Sequence, residues 1–521
     1  DSIESLLFCL NFLKTLFEVD MKNFNNIRRS MSICCRSILS VMNIKDVTIF
    51  EDSLFYPVVR RLKDYEQKRK EKISEEHLAE LKIERAMTLI HSPDAAIQCI
   101  DSLISFHQEN EYYAEELQTR IFKIAIGFEY LGCTGKMDYK YLNIERPSLL
   151  FADECPLIKE YVRCPPDGMF TIPSYCDSPP FSERSLLCDM LHLITRAIES
   201  KLFEIGVKMA DKFWPIMEHH NMYSLGAKVF QGFTRCYREM ASIPIEVDRL
   251  FGRYYRISFY GKCFEDKDRT CYIYREKKLT HLFEVSKRLT DFYSDLLQPT
   301  VIELIKEAGT VDISSLDLEN KGYIQVTFVE PSFQKSEKNQ RFTPYERNHL
   351  LKNFFFDTPF TKGDSGKAQS TIDQQWIRRT VLTVEQEMPS ISKRAKIIKE
   401  TEKEFAPIRV AYRQLRDRIT LLENAINQAD YRNIQQLLHG SLLVQVNEGP
   451  SRMAELFLAE NNEKSKYTEK LKKAFNLFLK VNEKALDMHS KWVTDHPEFA
   501  PLQHELESGL LSLVEKLSKW I

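Results

Sequence analysis

Apolar residues recur three and four positions apart along most of this chain, with polar residues between them, the period of helices that bury one face. The pattern predicts helices at Ile3 to Val19, Phe24 to Met42, Leu78 to His91, Ala95 to Gln108, Ala114 to Leu131, Ser185 to Glu199, Leu202 to His219 and Ser224 to Met240. Helices of this length joined by short turns stack as antiparallel hairpins in the manner of a tetratricopeptide array, although no repeat of about 34 residues runs through them. The proline-rich stretch 164–183 interrupts the array and predicts an exposed loop, and the charged run Arg60 to Glu76 reads as a solvated helix face or a boundary. The paired His219 and His220 are expected at a helix end, not at a metal.

Near Phe251 the period changes. Tyr254 to Tyr260, Thr270 to Tyr274, Tyr323 to Val329, Asn353 to Phe356 and Arg379 to Thr383 are β-branched and aromatic runs and predict strands; Leu279 to Leu297 and Pro299 to Ala308 predict helices between them. Helical stripes then return as Ile408, Ala411, Leu415, Ile419, Leu422 and Ile426, next as Tyr467, Leu471, Phe475, Phe478, Leu479, Asn482 and Leu486, and last as Leu502, Leu506, Leu510, Leu513 and Leu517. The fold class is therefore mostly α with an inserted α+β lobe: a helical-repeat-like array, an antiparallel-sheet lobe, and an antiparallel helix bundle containing an interrupted helix. The divisions fall at residues 1–75, a helical segment preceding the rest, then 76–245, 246–385 and 386–521.

The interruption is residues 440–450, GSLLVQVNEGP, where Leu442, Leu443, Val444 and Val446 lie between Gly440 and the pair Gly449–Pro450. Two readings stand side by side: a buried connector between helices, or a functional insert in a broken helix. Gly440 and Gly449 would let the backbone leave and rejoin the helix, and Pro450 suits the first turn of the helix that resumes.

Composition narrows the chemistry. At 521 residues with 43% hydrophobic content the chain can bury a sizeable core and divides into roughly three or four lobes. Lys plus Arg (73) and Asp plus Glu (75) leave a formal charge of -2, so no global field holds nucleic acid or anionic lipid. The apolar start, Leu6 to Val19, is broken by Lys14 and Glu18 and reads as a buried helix, so no membrane insertion is expected. The twelve cysteines form no C-x-x-C pair and no zinc spacing; reduced thiols, a cytoplasmic location, and no metal or cofactor follow as expectations. Gly363 to Lys367 imitates a phosphate-binding loop but lacks its spacing, and a polar hairpin turn is the better reading. Because the chain opens inside a helical pattern, it is expected to be part of something longer.

The insert, with Val444-Gln445-Val446-Asn447 and Gly449-Pro450, resembles the nucleotide-sensor run of the dedicator-of-cytokinesis (DOCK) family of guanine-nucleotide exchange factors, close to GSVSVQVNAGP, departing from it at Leu442, Leu443 and Glu448. FGRYYRISFYG (251–261), LTHLFEVSKRLTDFY (279–293), YIQVTFVEPSF (323–333), YERNHLLKNFFFDTPFT (345–361), IRRTVLT (377–383) and FAPIRVA (405–411) resemble family blocks in the same order. The resemblance covers residues 76–521, the family's catalytic DHR-2 region, and is strongest to its zizimin-like half. Leu350, Lys352 and Asn353 stand where relatives often carry Asn, Arg and Arg, which leaves the identity of the partner open.

The resemblance implies an exchange factor for a Rho-family GTPase, Rac-type or related. It places Val446 as the sensor with Val444 second, Asn447 and Gly449 beside them in the same insert, and Gln445 as a contact to the GTPase. It implies that the α+β lobe holds switch I, through the block containing Leu350, Lys352, Asn353, Phe354, Pro359 and Phe360, that the bundle holds switch II, and that the array forms a homodimer. No chemical active site is required, so the chain is not expected to be an enzyme in the covalent sense. Binding a GTPase more tightly in its nucleotide-free form weakens nucleotide binding by the same factor. The alternative is a helical scaffold or adaptor that binds a small GTPase without releasing its nucleotide.

Overall fold

The computed structural model describes residues 74–88, 93–161, 182–243, 249, 251–338, 340–362, 372–443, 449–459 and 466–520. The helices expected before residue 74, the proline-rich loop over 164–181 and the hairpin turn at Gly363 to Lys367 lie outside them. The chain forms two compact units, Asp1–Phe354 with Thr383–Lys399, and Phe355–Leu382 with Glu400–Ile521.

The first unit opens with helices α1 (Glu75–Thr88), α2 (Pro93–Glu109), α3 (Tyr113–Cys133), α4 (Glu183–Glu199), α5 (Phe203–His219) and α6 (Tyr223–Ala241). The repeat missing from the sequence is present in the turns. The α2–α3, α4–α5 and α5–α6 connections each place one residue in the left-handed region, Glu111 (φ 57), Lys201 (φ 60) and Asn221 (φ 56). The next residue's N–H then closes a wide turn: Tyr112 onto His107 O at 2.9 Å, Leu202 onto Ala197 O at 2.8 Å, and Met222 onto Met217 O at 2.8 Å. This six-to-one closure is a Schellman turn, set by backbone geometry rather than residue type, so three unlike triplets make the same corner. His219 ends α5 and His220 caps it, as the sequence predicts.

Seven strands follow: β1 (Arg253–Tyr260), β2 (Thr270–Glu276), β3 (Val301–Ile305), β4 (Lys321–Pro331), β5 (Leu351–Thr361), β6 (Gln375–Met388) and β7 (Arg394–Phe405). Their order is β1-β2-β7-β6-β5-β4-β3, and a further β1–β4 pairing closes all but β3 into a barrel. Helix α7 (Leu282–Leu296) packs on one face of β1 and β4, where Val285, Leu289 and Tyr293 meet Tyr255, Ile257, Phe259, Ile324 and Val326. A reciprocal capping box fixes its start, Glu284 accepting from the His281 N–H at 2.6 Å. On the opposite face of β1, the buried Arg256 donates to Gln325 Oε1 at 3.1 Å.

Two expectations are corrected here. Pro299 to Ala308 is not a helix: Val301–Ile305 is β3, parallel to β4, with Ile302 buried against the core under α7. A run this short carries no decisive period, and pairing with β4 settles it. β7 was not expected, and β6 runs through the division placed at 385. Half the positions of β7 are charged and exposed, so no apolar alternation marks it; its ladder with β2 holds it, Ile273 opposite Ala395.

Buried and half-buried ion pairs tie the helices of the first unit to its strands. Arg275 on β2 donates twice to Glu115 of α3, at 2.9 and 2.9 Å, and Arg394 on β7 donates to both oxygens of Glu80 at 2.6 and 2.6 Å. Arg288 on α7 bridges Glu76 (2.8 Å) and Glu276 (2.6 Å).

The second unit is a bundle of α8 (Pro407–Gln428), α9 (Tyr431–Leu438), α10 (Pro450–Leu458), α11 (Lys466–Thr494) and α12 (Ala500–Leu517). The predicted stripes form its core: Leu415, Ile419, Leu422, Leu471, Phe475, Phe478, Leu506 and Leu517 are all at most 2% exposed. Asn482 sits within this core, donating to Phe478 O at 2.7 Å, and His489 Nδ1 lies 2.6 Å from Gln503 Oε1, joining α11 to α12.

Candidate functional site

The interrupted helix begins as α9, whose first turn is closed by Asp430 accepting from the Asn433 N–H at 3.1 Å. Ile434 and Leu438 bury its apolar side, and the helix then loosens into a π turn, His439–Leu443. Such wide turns interrupt helices where a side chain or a loop must be re-aimed. Leu442 remains 6% exposed and holds the turn on the bundle. Val444, Gln445, Val446, Asn447 and Glu448 lie outside the described residues. The chain re-enters at Gly449 (φ -31°, ψ -172°), with Pro450 at the first helical position of α10 and the Met453 N–H on Gly449 O at 3.1 Å. Pro450 is buried, so both ends of the insert are anchored.

Gly440 does not draw on a glycine's conformational freedom. Gly440 has no positive φ, and a Cβ there would meet nothing within 4 Å. The glycine packed closely against the turn is Gly509 on α12, where a Cβ would sit 3.0 Å from Leu443 Cδ2 and 3.3 Å from both Cβ and O of Leu442. A glycine inside a helix pattern marks a close approach but does not name its neighbour, so no sequence signal ties Gly509 to the turn.

The predicted partner-binding strand is β5. In the first unit, Leu350 adopts φ 52, and Arg341 clamps this corner by donating to His349 O at 2.6 Å and Leu350 O at 3.2 Å. Lys352 donates to Glu385 O at 2.7 Å, and Asn353 Oδ1 accepts from Thr383 Oγ1 at 2.8 Å. Both are half-buried with their polar ends engaged on β6. Phe354 is a correction: it is 0% exposed with its ring 4.9 Å from that of Tyr254, so it is a core residue with no surface to offer a partner. Behind the corner, His349 Nε2 lies 3.1 Å from Glu154 Oε2, and Lys208 reaches Glu154 at 2.8 Å. Burial raises the Glu154 carboxyl, but His349 and Lys208 overcome it and hold it below the usual carboxylate range.

In the second unit, Pro359 is exposed and Phe360 half-buried. Around Phe360 is a cation–aromatic cluster that the sequence did not reveal: Arg378 lies 4.7 Å over its ring, Trp376 6.4 Å from it, and Lys362 3.6 Å over Trp376. Glu404 on β7 accepts from Lys362 (3.3 Å) and Arg378 (3.2 Å), which depress its carboxyl. Asp357 is gripped by Arg379 at 2.7 and 2.5 Å, with Arg413 of α8 at 3.5 Å. The alternating Phe360, Lys362, Trp376 and Arg378 meet only through β5–β6 pairing, which spacing along one strand does not show.

Among the described residues, no group of His, Cys, Asp or Glu could hold a metal ion, and no helix is long and apolar enough to cross a membrane. Burial pushes the Cys155 thiol up to about 12 and the Cys236 thiol to about 11, far from a reactive thiolate.

Helical array, strand lobe and bundle with a broken helix correspond to a three-lobed domain. Residues 80–242 match DHR-2, Lobe A; residues 308–387 match DHR-2, Lobe B; and residues 421–520 match DHR-2, Lobe C. The chain is 28% identical over 508 residues to Dedicator of cytokinesis protein 6 of Mus musculus, covering 95% of this chain and 24% of that protein. It is 28% identical over 539 residues to Dedicator of cytokinesis protein 7 of Homo sapiens (98% and 24%) and 30% identical over 461 residues to Dedicator of cytokinesis protein 8 of Homo sapiens (86% and 21%). The chain is a DHR-2 region and belongs to the dedicator-of-cytokinesis family. It spans about a quarter of the length of these relatives. An alignment covering 98% of the chain also takes in most of residues 1–75, which the motif blocks did not reach.

Proposed function

We propose that this chain is a guanine-nucleotide exchange factor for a Rho-family small GTPase, of the zizimin-like half of its family, acting in the cytoplasm. The observation that carries the reading is the helix broken between two anchored ends, Leu442 seated on Gly509 and Pro450 starting α10, inside a Lobe C match. The five residues between them include Val444 and Val446. Val446 is assigned as the wedge, with Val444 second, Asn447 and Gly449 shaping the insert around it, and Gln445 binding the GTPase. Mg²⁺ in a GTPase demands near-octahedral oxygen ligation, and a valine, stiff at χ1 and without a donor atom, excludes the ion and offers it nothing. The phosphates lose their compensating charge, and the nucleotide leaves. A picomolar nucleotide complex represents about 16 kcal/mol, which only linkage to partner binding can offset without a covalent step.

Leu350, Lys352, Asn353, Pro359 and Phe360 are assigned to the GTPase's switch I, and the bundle to switch II. Phe360, flanked by Arg378 and Trp376, is the aromatic anchor. The array is assigned to homodimerisation through α6, which leaves Tyr223 (65%), Phe230 (46%) and Tyr237 (48%) exposed. The test is release of labelled GDP from a panel of Rho-family GTPases. Acceleration of at least one member supports the reading; intrinsic rates throughout, with a GTPase still bound, overturn it in favour of the scaffold.

A further inference from the structure

Phe342 is 75% exposed, yet the loop that carries it is tightly held. The N–H groups of Phe342 and Thr343 both donate to Glu346 Oε2 at 2.8 Å, and Thr343 Oγ1 accepts from the Glu346 N–H at 3.2 Å. At its base Tyr345 and His349 are buried, with their rings stacked 4.8 Å apart. Arg341 closes the loop: its guanidinium donates to the carbonyls of Glu346, His349 (2.6 Å) and Leu350 (3.2 Å) and lies 4.9 Å over the Phe333 ring. Leu350 stands at φ 52, a conformation that leucine keeps only where its surroundings impose it, and such residues gather at functional corners.

A lone exposed phenylalanine is ordinary on a protein surface. Two features set this one apart. Its loop is preorganised, so a partner that covers the ring has little backbone left to immobilise. The loop is also tied through Arg341 to Leu350, where the strand assigned to switch I begins. The polar ends of Lys352 and Asn353 on that strand are engaged on β6. Recognition at this corner therefore falls to apolar surface, the exposed Phe342 and the half-buried Leu350.

We propose that Phe342 is a further GTPase contact, an aromatic anchor that takes an apolar side chain of the GTPase beside Leu350, and that Arg341 is its positioning residue. The proposal rests on the exchange-factor reading and adds to it the chemistry of the contact. The test uses the whole chain and a GTPase that it activates, with GDP release followed over a range of GTPase concentrations. Phe342→Ala removes a solvent-facing ring; it should melt with the parent and raise the half-saturating GTPase concentration about tenfold or more, with little change in the rate at saturation. Phe342→Leu keeps an apolar side chain and should recover most of the loss, whereas Phe342→Asp should not. Arg341→Lys keeps the charge but loses the planar fork that spans the three carbonyls, and it should raise the same concentration. Because Arg341 acts through the ring, combining Arg341→Lys with Phe342→Ala should give much less than the product of the two effects. A parent that accelerates no GTPase overturns the exchange reading and this contact with it. With an active parent, Phe342→Ala at the parental half-saturating concentration overturns the contact alone, as does Phe342→Asp behaving like Phe342→Leu. Loss of self-association in Phe342→Ala, read by light scattering, would give the ring to a second copy of the chain and also overturn it. Effects that multiply in the double variant would refute the positioning role of Arg341.

Discussion

Gly509 is the residue by which the seating of the broken helix can be tested without touching the insert. Alanine there gains about 1 kcal/mol of helix propensity. Its methyl must also fit 3.0 Å from Leu443 Cδ2 and 3.3 Å from Leu442 Cβ and O. The Leu443 side chain can swing aside, whereas the Leu442 carbonyl belongs to the π turn and yields only if the turn moves. The two effects nearly cancel, and Gly509→Ala should fall within about 1 kcal/mol of the parent. Gly509→Val adds branching against the same carbonyl and should cost about 1–3 kcal/mol, lowering the bundle's melt by about 2–4 °C per kcal/mol. Because the turn leads into residues 444–448, GDP release should slow in both variants, and more in valine. Gly440→Ala is the matched control: its Cβ meets nothing within 4 Å, so melt and exchange should be unchanged or slightly improved. Melting and stopped-flow GDP release on the same preparations decide the matter. A Gly509→Val protein with parental melt and exchange would refute the seating argument, as would a damaged Gly440→Ala.

Phe354→Ala should destabilise by about 3–5 kcal/mol because the ring is fully buried; Phe360→Ala should leave the melt nearly intact and weaken GTPase binding in a titration. Arg275→Met strands Glu115 as an unpaired buried carboxylate and should cost about 3–5 kcal/mol in denaturant unfolding. Burial raises the Glu76 carboxyl, but Arg288 and Lys393 bring it down to about 2 from an ordinary 4.5, so its contribution to stability is full above about 4.5 and lost as the pH falls toward 2. Unfolding followed across that window should show the loss, and Arg288→Met, by raising the folded-state value toward 4.5, should shrink it. Phe230→Asp with Tyr237→Asp should give a monomer by light scattering if α6 forms the dimer face.

Much of this was legible in the sequence because helical faces repeat their apolar positions. The stripe from Ala411 to Ile426 and that from Leu471 to Leu486 are core residues in the bundle, and Pro450 resumes the broken helix where a proline fits best. What stayed hidden depends on pairing across the fold. β3 reads as helix until β4 lies beside it, and β7 has no apolar alternation because its outward positions are charged. Phe354 and Phe360 are both aromatic residues on one strand; which is core and which is surface follows from the neighbours that reach them, Tyr254 for one and Arg378 with Trp376 for the other. Gly509 is informative only once Leu442 and Leu443 are seen against it.

The assignment of Val446 is tested most directly by GDP release from a responsive Rho-family GTPase at saturating exchange factor, comparing the parent with Val446→Ala and melting both. If the side chain enters the Mg²⁺ site, Val446→Ala melts with the parent while release slows several-fold, and added Mg²⁺ suppresses the residual exchange more strongly than it does the parent's. A lower melt by about 1–3 kcal/mol of lost core burial, with full activity in the folded fraction, would contradict the wedge and return Val446 to the interior.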